Sequence, residues 1–222
     1  SDIGTNDALT LQDIDRIVAQ LRESTAVIQS VKIKGDDRAW NDPLWVMFVT
    51  ERQWLYLHSR TSQTTWRQAV TNAFERKSGG IKHPLFDAYE TIMWNGMLIK
   101  RLNRYAIRFS AGDNVVVDTG GANGGTYTES TVTAANPTDR AIIVGAQALA
   151  KAYGKSASDY FYDWSEEKVD HGNSVETVCA AMGGSAKVRF KIDGVDTDFG
   201  VAVVDSYAPD PASAAGRTLL AS

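Results

Sequence analysis

The sequence predicts an α+β fold. Helix and strand signals alternate irregularly along the 222 residues, unlike the regular repeat of a doubly wound parallel sheet. The segment LWVMFVT at 44–50 is apolar enough to be a buried strand, and helical patterns with capping residues flank it. With 43% hydrophobic and 23% charged residues, the chain has the composition of a globular protein with a sizeable core.

The first predicted helix begins after Thr10. The Thr10 hydroxyl and Asp13, three residues later, match the pattern of a capping box. Apolar residues then recur on one face at helical spacing: Leu11, Ile14, Ile17, Val18 and Leu21. A strand is predicted at 27–34, where apolar and polar residues partly alternate, and a second strand at 44–50.

Two short helices are predicted after the second strand. Thr50 is placed to cap ERQWLYLHSR, and Thr64 or Thr65 is placed to cap TWRQAVTNAFER. Three apolar residues spaced by four predict the buried face of the second helix: Trp66, Val70 and Phe74. Residues 96–109 are predicted to form a strand pair or one bent strand.

The second half of the chain begins with a segment of different composition. Residues 110–139 are rich in Gly, Thr, Asn and Ala, so we expect a surface excursion in the form of a loose hairpin. The remaining predicted elements are strands at 140–144, 187–192 and 199–204, a helix at 145–154 that Gly154 closes, and a mobile tail at 208–222.

Composition restricts the classes of protein that remain. The longest apolar runs are far shorter than the ~20 residues that cross a bilayer. The N-terminus lacks the basic and then apolar pattern of a signal peptide, so we expect intracellular synthesis and no membrane partner. The single cysteine, Cys179, excludes an intrachain disulfide and is predicted to be a small buried apolar residue.

Charge is distributed unevenly around a net value of −4. Residues 51–108 contain ten Lys or Arg and four Asp or Glu, a local net charge of +6. Residues 157–222 contain eleven acids and five bases, a local net charge of −6. Such blocks suit contact with a polyanion or between copies of one chain, and they also suit two solvated faces of one domain.

The stretch WSEEKVDHGN at 164–173 is the segment most similar to an active site. Glu166 and Glu167 are adjacent, so on a strand they point to opposite faces and cannot form the facing carboxylate pair of a glycosidase. His171 has no second metal ligand at a suitable spacing. A strand and turn is therefore favoured, and a hydrolase that uses Asp170 and His171 is the alternative.

Other candidate sites are weak, and no cofactor or metal is predicted. The glycines at 120–125 lack the Lys–Ser/Thr of a phosphate loop. Asp193, Asp196 and Asp198 resemble the start of a calcium loop, but no Glu closes it, so a polar hairpin turn is favoured. A carbohydrate-binding module is a further alternative because of six scattered tryptophans: Trp40, Trp45, Trp54, Trp66, Trp94 and Trp164.

Four segments together carry a family resemblance. They are HPLFDAYETIMWNGMLI at 83–99, AIIVGAQALAKAYGK at 141–155, DWSEEKVDHGN at 163–173 and KVRFKIDGVDTDFGVAVVDSY at 187–207. In this order and spacing they resemble the major capsid proteins of the phage N-four-like family, which have the Hong Kong 97-type fold.

Two short motifs within these segments are the structural residues that the resemblance implies. The family pattern D-Y-G-N appears here with histidine in place of the aromatic residue: Asp170, His171, Gly172 and Asn173. The family pattern D-F-G is intact: Asp198, Phe199 and Gly200. The histidine is the departure that puts the packing of the family's aromatic ring in question.

The resemblance also implies a domain organisation. A peripheral-type domain with a long helix and a sheet would comprise residues 10–43 and 156–207. An axial-type domain would comprise 44–155, with the surface excursion at 110–139, and residues 208–222 would be a separate mobile tail. Family members carry an N-terminal arm and an extended loop, and we expect both to be missing from this chain, which starts near the helix that follows them.

The function implied by the resemblance is structural and not enzymatic. Copies of the chain would assemble in the host cytoplasm into pentamers and hexamers that enclose double-stranded DNA in the virion. Expected partners are other copies of the chain, other capsid or decoration proteins, and packaged DNA. Lys and Arg would contact the DNA phosphates weakly and without sequence specificity.

Overall fold

The computed structural model describes most of the chain. The described residues are 3–23, 28–33, 42–78, 84–86, 90–102, 107–119, 128–154, 162–192, 195–198 and 200–221. They belong to two compact units. The first unit is Ser1–Ala146 with Arg189–Ser222, and the second unit is Gln147–Val188. Both helices and strands are present, so the predicted α+β class is confirmed.

The helices are α1 Leu11–Glu23, α2 Glu51–Ser59, α3 Gln63–Ser78 and α4 Ala214–Ala221. The strands before residue 146 are β1 Trp45–Thr50, β2 Thr91–Trp94, β3 Met97–Leu102, β4 Ile107–Phe109, β5 Asn114–Thr119, β6 Thr128–Thr133 and β7 Thr138–Val144. The later strands are β8 Leu149–Tyr153, β9 Tyr162–Val169, β10 Ser174–Ala181, β11 Gly183–Lys187, β12 Arg189–Ile192, β13 Val195–Asp198 and β14 Val201–Tyr207. No described helix is both long enough and apolar enough to span a membrane.

A six-stranded sheet forms the centre of the first unit. Its order is β14–β7–β1–β3–β2, and β4 also pairs with β7. The β1–β3 pair is parallel and the other pairs are antiparallel. Strand β1 pairs with β7 only through Val46, Met47 and Phe48. Beyond that point β4 pairs with β7, because the chain leaves the sheet at Thr50 to begin α2.

Apolar side chains cover both faces of this sheet. Alternate residues Trp45, Met47 and Val49 of β1 lie in the larger core cluster, together with the buried face of α1. Val46 lies in the smaller cluster on the other face, with Phe86 and Leu98. Burial on both faces explains why β1 is an almost continuous apolar run.

The predicted helix starts are confirmed for α1 and α2 and corrected for α3. The backbone N–H of Asp13 donates to the Thr10 hydroxyl over 3.3 Å, and the N–H of Thr10 donates to the Asp13 carboxylate over 3.0 Å. Thr50 caps α2 within a full capping box. For α3 the predicted caps Thr64 and Thr65 are wrong, because the Ser62 hydroxyl accepts the Thr65 N–H over 3.2 Å.

The predicted buried face of α3 is partly wrong. Trp66 and Val70 pack against the larger core cluster, but the Phe74 side chain is 59% exposed. Residues spaced by four advance about 40° around a helix at each step, so a stripe at that spacing drifts off the core within two turns. The buried positions shift to Ala69 and Ala73 instead.

The strand predicted at 27–34 is wrong for the described residues 28–33, which have no strand assignment. This segment instead lies along the sheet through single hydrogen bonds. The Val31 N–H donates to Leu44 O over 2.7 Å, and the Ala146 N–H donates to Gln29 O over 2.8 Å. Its residues Val31 and Ile33 contribute to the smaller core cluster, and Ile28 contributes to the larger one.

Residues 96–109 were predicted to form a strand pair or one bent strand; they contain two strands, β3 and β4, which pair with other strands and not with each other. The preceding strand β2 was missed. Strands β2 and β3 form a hairpin whose turn residues, Asn95 and Gly96, both have positive φ. Asn-Gly is the sequence preferred for this two-residue turn. A Cβ on Gly96 would lie 2.7 Å from Pro43 O, so space as well as conformation requires glycine there.

The hairpin predicted within 110–139 is confirmed as β5 paired with β6. The helix predicted at 145–154 is wrong, because residues 149–153 form β8, which pairs with β11. Good helix formers such as Ala and Leu are overridden there by a long-range partner strand. The strands predicted at 140–144, 187–192 and 199–204 are confirmed, with adjusted ends, as β7, β12 and β14.

The predicted domain boundaries do not coincide with the two compact units. The central sheet pairs β14, from the range predicted as peripheral, with β7, from the range predicted as axial. The division into peripheral and axial domains therefore stays a prediction. In the predicted tail, Ala208 and Pro209 are buried and α4 follows.

Candidate assembly surface

A buried polar cluster fixes the positions of four elements in the first unit. Asp139 of β7 is fully buried, and its carboxylate accepts two hydrogen bonds from the Arg108 guanidinium over 2.7 and 3.0 Å. It also accepts a hydrogen bond from the Thr50 hydroxyl over 2.5 Å. The Gln53 side-chain amide donates to Asp139 O and to the Ser206 hydroxyl. This cluster ties α2, β4 and β14 to β7.

The same cluster shifts the pKa of Arg108. Hydrogen bonding to the Asp139 carboxylate raises the pKa of Arg108 above its ordinary value, although partial burial opposes the shift. The guanidinium is therefore charged at neutral pH. A charged donor opposite a buried carboxylate makes this a strong, charge-assisted contact.

Tyr56 of α2 is buried beside this cluster. Its hydroxyl donates to Pro209 O over 2.8 Å and so links α2 to the segment that precedes α4. Burial raises the pKa of Tyr56 above 10, and the charge of Arg52 acts in the opposite direction. The phenol therefore loses its proton at a higher pH than an exposed tyrosine does.

The Tyr56→Phe variant is expected to be less stable at neutral pH and to lose less stability in alkali. The folded pKa is raised, so the contribution of Tyr56 is fully present below about pH 10 and is lost as pH rises through the folded pKa. Losing the hydrogen bond to Pro209 O costs roughly 1–3 kcal/mol at pH 7. Urea unfolding of both proteins at pH 7 to 11 measures this. A stability difference that does not shrink above pH 10 would contradict the assignment.

The second unit is an exposed pair of antiparallel ladders. Strands β9 and β10 pair over eight residues on each strand. Strands β8 and β11 pair next to them, where the Gly154 N–H donates to Met182 O over 2.9 Å. We call β9, β10 and the tip between them, residues 162–181, the ribbon.

The predicted motif at 170–173 forms the tip of the ribbon. Asp170, His171 and Gly172 all have positive φ, and the Asn173 N–H donates to Asp170 O over 3.0 Å. Asp and His adopt this left-handed conformation more often than most non-glycine residues, and glycine adopts it freely, so the local sequence suits the turn. All four side chains are exposed at the end of a hairpin, and the hydrolase alternative would need a cleft around them.

The second predicted motif lies in the first unit. Asp198 ends β13, Phe199 is outside the described residues, and Gly200 is buried. The Gly200 carbonyl accepts the Gly145 N–H over 2.8 Å, which joins the start of β14 to the end of β7. The polar hairpin turn predicted at 193–200, in place of a calcium loop, falls partly outside the described residues, and Val195–Asp198 form the strand β13, which pairs with β12. The role of either motif stays a prediction.

Cys179 is exposed on β10, so its predicted burial is wrong. An isolated two-stranded ladder has no core to receive a small apolar side chain, which the local sequence could not show. Larger apolar side chains on the ribbon are also exposed: Tyr162, Trp164, Val175 and Val178. Tyr162 and Trp164 share one face of the ladder, and exposed large apolar side chains that lie together are typical of an interaction surface.

The described tryptophans do not form one sugar groove. Trp45 is buried, Trp164 is 59% exposed on the ribbon, and the Trp94 indole N–H donates to the Asp15 carboxylate. Trp54 and Trp66 do meet edge to face, with ring centroids 5.1 Å apart, beside a groove of about 320 Å³ between α2 and α3. Sequence spacing did not predict that pair.

Side chains that could bind a metal are scattered over the described residues, and no three of His, Cys, Asp or Glu are grouped for one ion there. The ribbon is therefore the strongest candidate for a functional surface. Alternation of apolar and polar residues at the start of β9, from Tyr162 to Ser165, is the signal that could have identified it, because every second residue of a strand shares a face.

A family model and two solved structures show what the chain is similar to. The sequence matches the family model described as phage capsid protein over residues 1–210. No curated protein matches it. The structure is similar to the capsid of Ralstonia phage GP4, with a TM-score of 0.58 and 23% identity over 95% of this chain and 50% of that chain. It is also similar to the cyanophage Pam1 capsid, with a TM-score of 0.53 and 16% identity over 94% of this chain and 49% of that chain.

The chain thus spans about half the length of these capsid chains. The shared fold confirms the Hong Kong 97-type capsid fold that the resemblance implied. The family match supports a structural role and no catalytic one. Because that match extends over almost the whole sequence, the chain belongs to the phage capsid protein family.

Proposed function

We propose that the chain is a structural shell subunit, the major capsid protein of a tailed phage. The match to phage capsid proteins over residues 1–210 is the observation that carries this proposal. Copies assemble into pentamers and hexamers that enclose double-stranded DNA in the virion, after synthesis and assembly in the host cytoplasm. Complementary faces on identical copies produce closed rings when the rotation between neighbours closes.

The uneven charge supports self-association. The block of +6 at 51–108 and the block of −6 at 157–222 would attract each other between neighbouring copies. Contact with packaged DNA is proposed to be weak and nonspecific, through Lys and Arg, because the chain as a whole carries a net charge of −4. Other capsid or decoration proteins are proposed as further partners.

The proposed division into peripheral and axial domains assigns the long helix to the periphery of a capsomer. Helix α1 lies against the larger core cluster and begins at a capped end, so it is a rigid element suited to that position. The motifs at 170–173 and 198–200 are proposed to be structural turns of the shell domain.

Electron microscopy and light scattering of the complete protein test the proposal. We expect closed shells or capsomer-sized rings, with a mass far above that of one chain. A His171→Ala control at the ribbon tip should leave any background hydrolase turnover unchanged. A protein that remains strictly monomeric at high concentration would contradict the shell function.

A further inference from the structure

The ribbon is an exposed element without a core of its own. It is about 26 Å long, and all of its side chains are exposed except that of Val169, which is half-buried. Two-stranded ladders of this kind are only marginally stable in water by themselves. We therefore expect another protein surface to cover at least one face of the ribbon.

The register of the ladder separates an aromatic face from an acidic face. Directly opposite residues of an antiparallel pair project to the same side. The aromatic face contains two such pairs: Trp164 with Cys179 and Tyr162 with Ala181. The acidic face contains Glu167 directly opposite Glu176, and Ser165 opposite the exposed Val178.

A cation from outside the ribbon would stabilise the acidic face. Like charges directly opposite each other destabilise a ladder, and Glu167 and Glu176 are both exposed. Residues 162–181 contain five acids and one lysine, a net charge of −4, so the ribbon has little positive charge to offset the pair. An arginine from a covering surface would convert the repulsion into attraction.

Exposed cations of this kind lie on and just before α3. Arg67, Thr71 and Phe74 are exposed and follow one face of the helix at positions i, i+4 and i+7. Arg60 is exposed in the turn before α3. Among the described residues neither Arg60 nor Arg67 pairs with a carboxylate. Four other arginines of the positive block do: Arg52, Arg76, Arg101 and Arg108.

We propose that the acidic face of the ribbon docks on the α3 stripe, Arg60, Arg67, Thr71 and Phe74, of a second copy of the chain. Glu167 and Glu176 then meet the two arginines, and Val178 meets the exposed Phe74. The acidic face carries negative charge beside the exposed Val178, and the α3 stripe carries positive charge beside the exposed Phe74. The charges are therefore opposite, and the two apolar side chains can pack together. The inference rests on the proposed shell function and names the contact that would join neighbouring subunits.

The charge of the ribbon favours a protein partner over DNA. Packaged DNA is a polyanion and would be repelled by the paired glutamates. A second copy has the complementary cations and is present in equal number in a shell. The α3 stripe lies in the sequence block with a net charge of +6, and the ribbon lies in the block with a net charge of −6, so the whole blocks attract each other in the same sense as this contact.

Charge exchange tests the contact. We expect Arg67→Glu to reduce the yield of shells at least about tenfold, because a glutamate would then face two glutamates. Adding Glu176→Arg in the same chain should restore the yield to within about threefold of wild type. Arg217→Glu, an exposed arginine on α4, is the matched control and should assemble normally. Normal assembly of Arg67→Glu, or no restoration by the second change, would overturn the proposal.

Cysteine pairs test which face of the ribbon docks and whether the contact joins two copies. The first variant, Thr71→Cys/Val178→Cys/Cys179→Ser, has one thiol on the stripe and one on the acidic face. The second variant, Thr71→Cys alone, has one thiol on the stripe and the native Cys179 on the aromatic face. Under mild oxidation we expect the first variant to form dimers on a non-reducing gel at least about fivefold more than the second, since a disulfide needs Cβ atoms about 4 Å apart.

The outcomes separate this inference from the proposed function. Shells that form without a dimer band, with cross-links only within one chain, or with stronger cross-linking through Cys179 would overturn the ribbon contact and leave the shell function standing. A wild-type protein that forms no shells would remove both.

Discussion

Replacing Arg108 with methionine is expected to lower the free energy of unfolding by about 3–5 kcal/mol. The change leaves the Asp139 carboxylate fully buried without its cation, while the Thr50 hydroxyl still donates to it. Burying an unpaired charge costs far more than a surface ion pair contributes. Urea unfolding at pH 7 measures the difference. Since Asp139 also positions β4, we expect hydrogen exchange of Ile107 and Phe109 to increase.

The control for Arg108→Met is Arg16→Met. Arg16 also forms an ion pair, with Asp13 over 3.2 Å, but its side chain is 76% exposed. Exposed pairs of this kind contribute roughly 0–1 kcal/mol. The importance of the buried cluster would be contradicted if Arg108→Met cost no more than Arg16→Met.

Ile143→Ala is expected to destabilise the first unit by roughly 2–5 kcal/mol. Ile143 is fully buried in the larger core cluster, and in the sheet it stands between Met47 of β1 and Ala202 of β14. Neighbouring strands restrict how far the sheet can collapse into the cavity, so part of the cost is the cavity itself. Thermal unfolding followed by circular dichroism would report the loss as a lower Tm.

The matched control is Val203→Ala on the adjacent strand. Val203 is also β-branched and lies in β14, but its side chain is 51% exposed. Surface substitutions away from special features change stability by about 0.5 kcal/mol or less. Equal losses for Ile143→Ala and Val203→Ala would mean that the sheet core is not packed as described.

The elements that could be predicted from sequence are those with local causes. Thr10 and Asp13 satisfy each other's backbone groups within one turn, so the start of α1 is specified by four residues. Thr50 and Gln53 do the same for α2. The apolar run of β1 is equally local, because burial on both faces leaves no room for polar residues.

The errors fall where distant partners decide the structure. Residues 149–153 have helix-forming side chains, but β11, more than thirty residues later, offers them a ladder. Residues 28–33 have strand-like alternation, but they make only single backbone hydrogen bonds, to Leu44 and Ala146, and form no ladder. In both cases contacts with distant residues, and not local propensity, decided the structure.

The candidate surface shows the same limit. The stretch at 164–173 was predicted to be a strand and turn, and it is one, because alternation and a Gly–Asn ending are local signals. Its register with β10 was not predictable. That register places Glu167 opposite Glu176 and leaves Cys179 and Trp164 in solvent.

The sequence by itself determined the α+β class, the capped helices, the central strand and the capsid family, because these depend on residues near one another in the chain or on motifs in a fixed order. Only the tertiary structure decided which strands pair, that Asp139 is buried against Arg108, and that the ribbon is exposed. Those features depend on contacts between residues far apart in sequence. Such contacts stabilise the fold only after the chain has met the entropic cost of closing the loops between them.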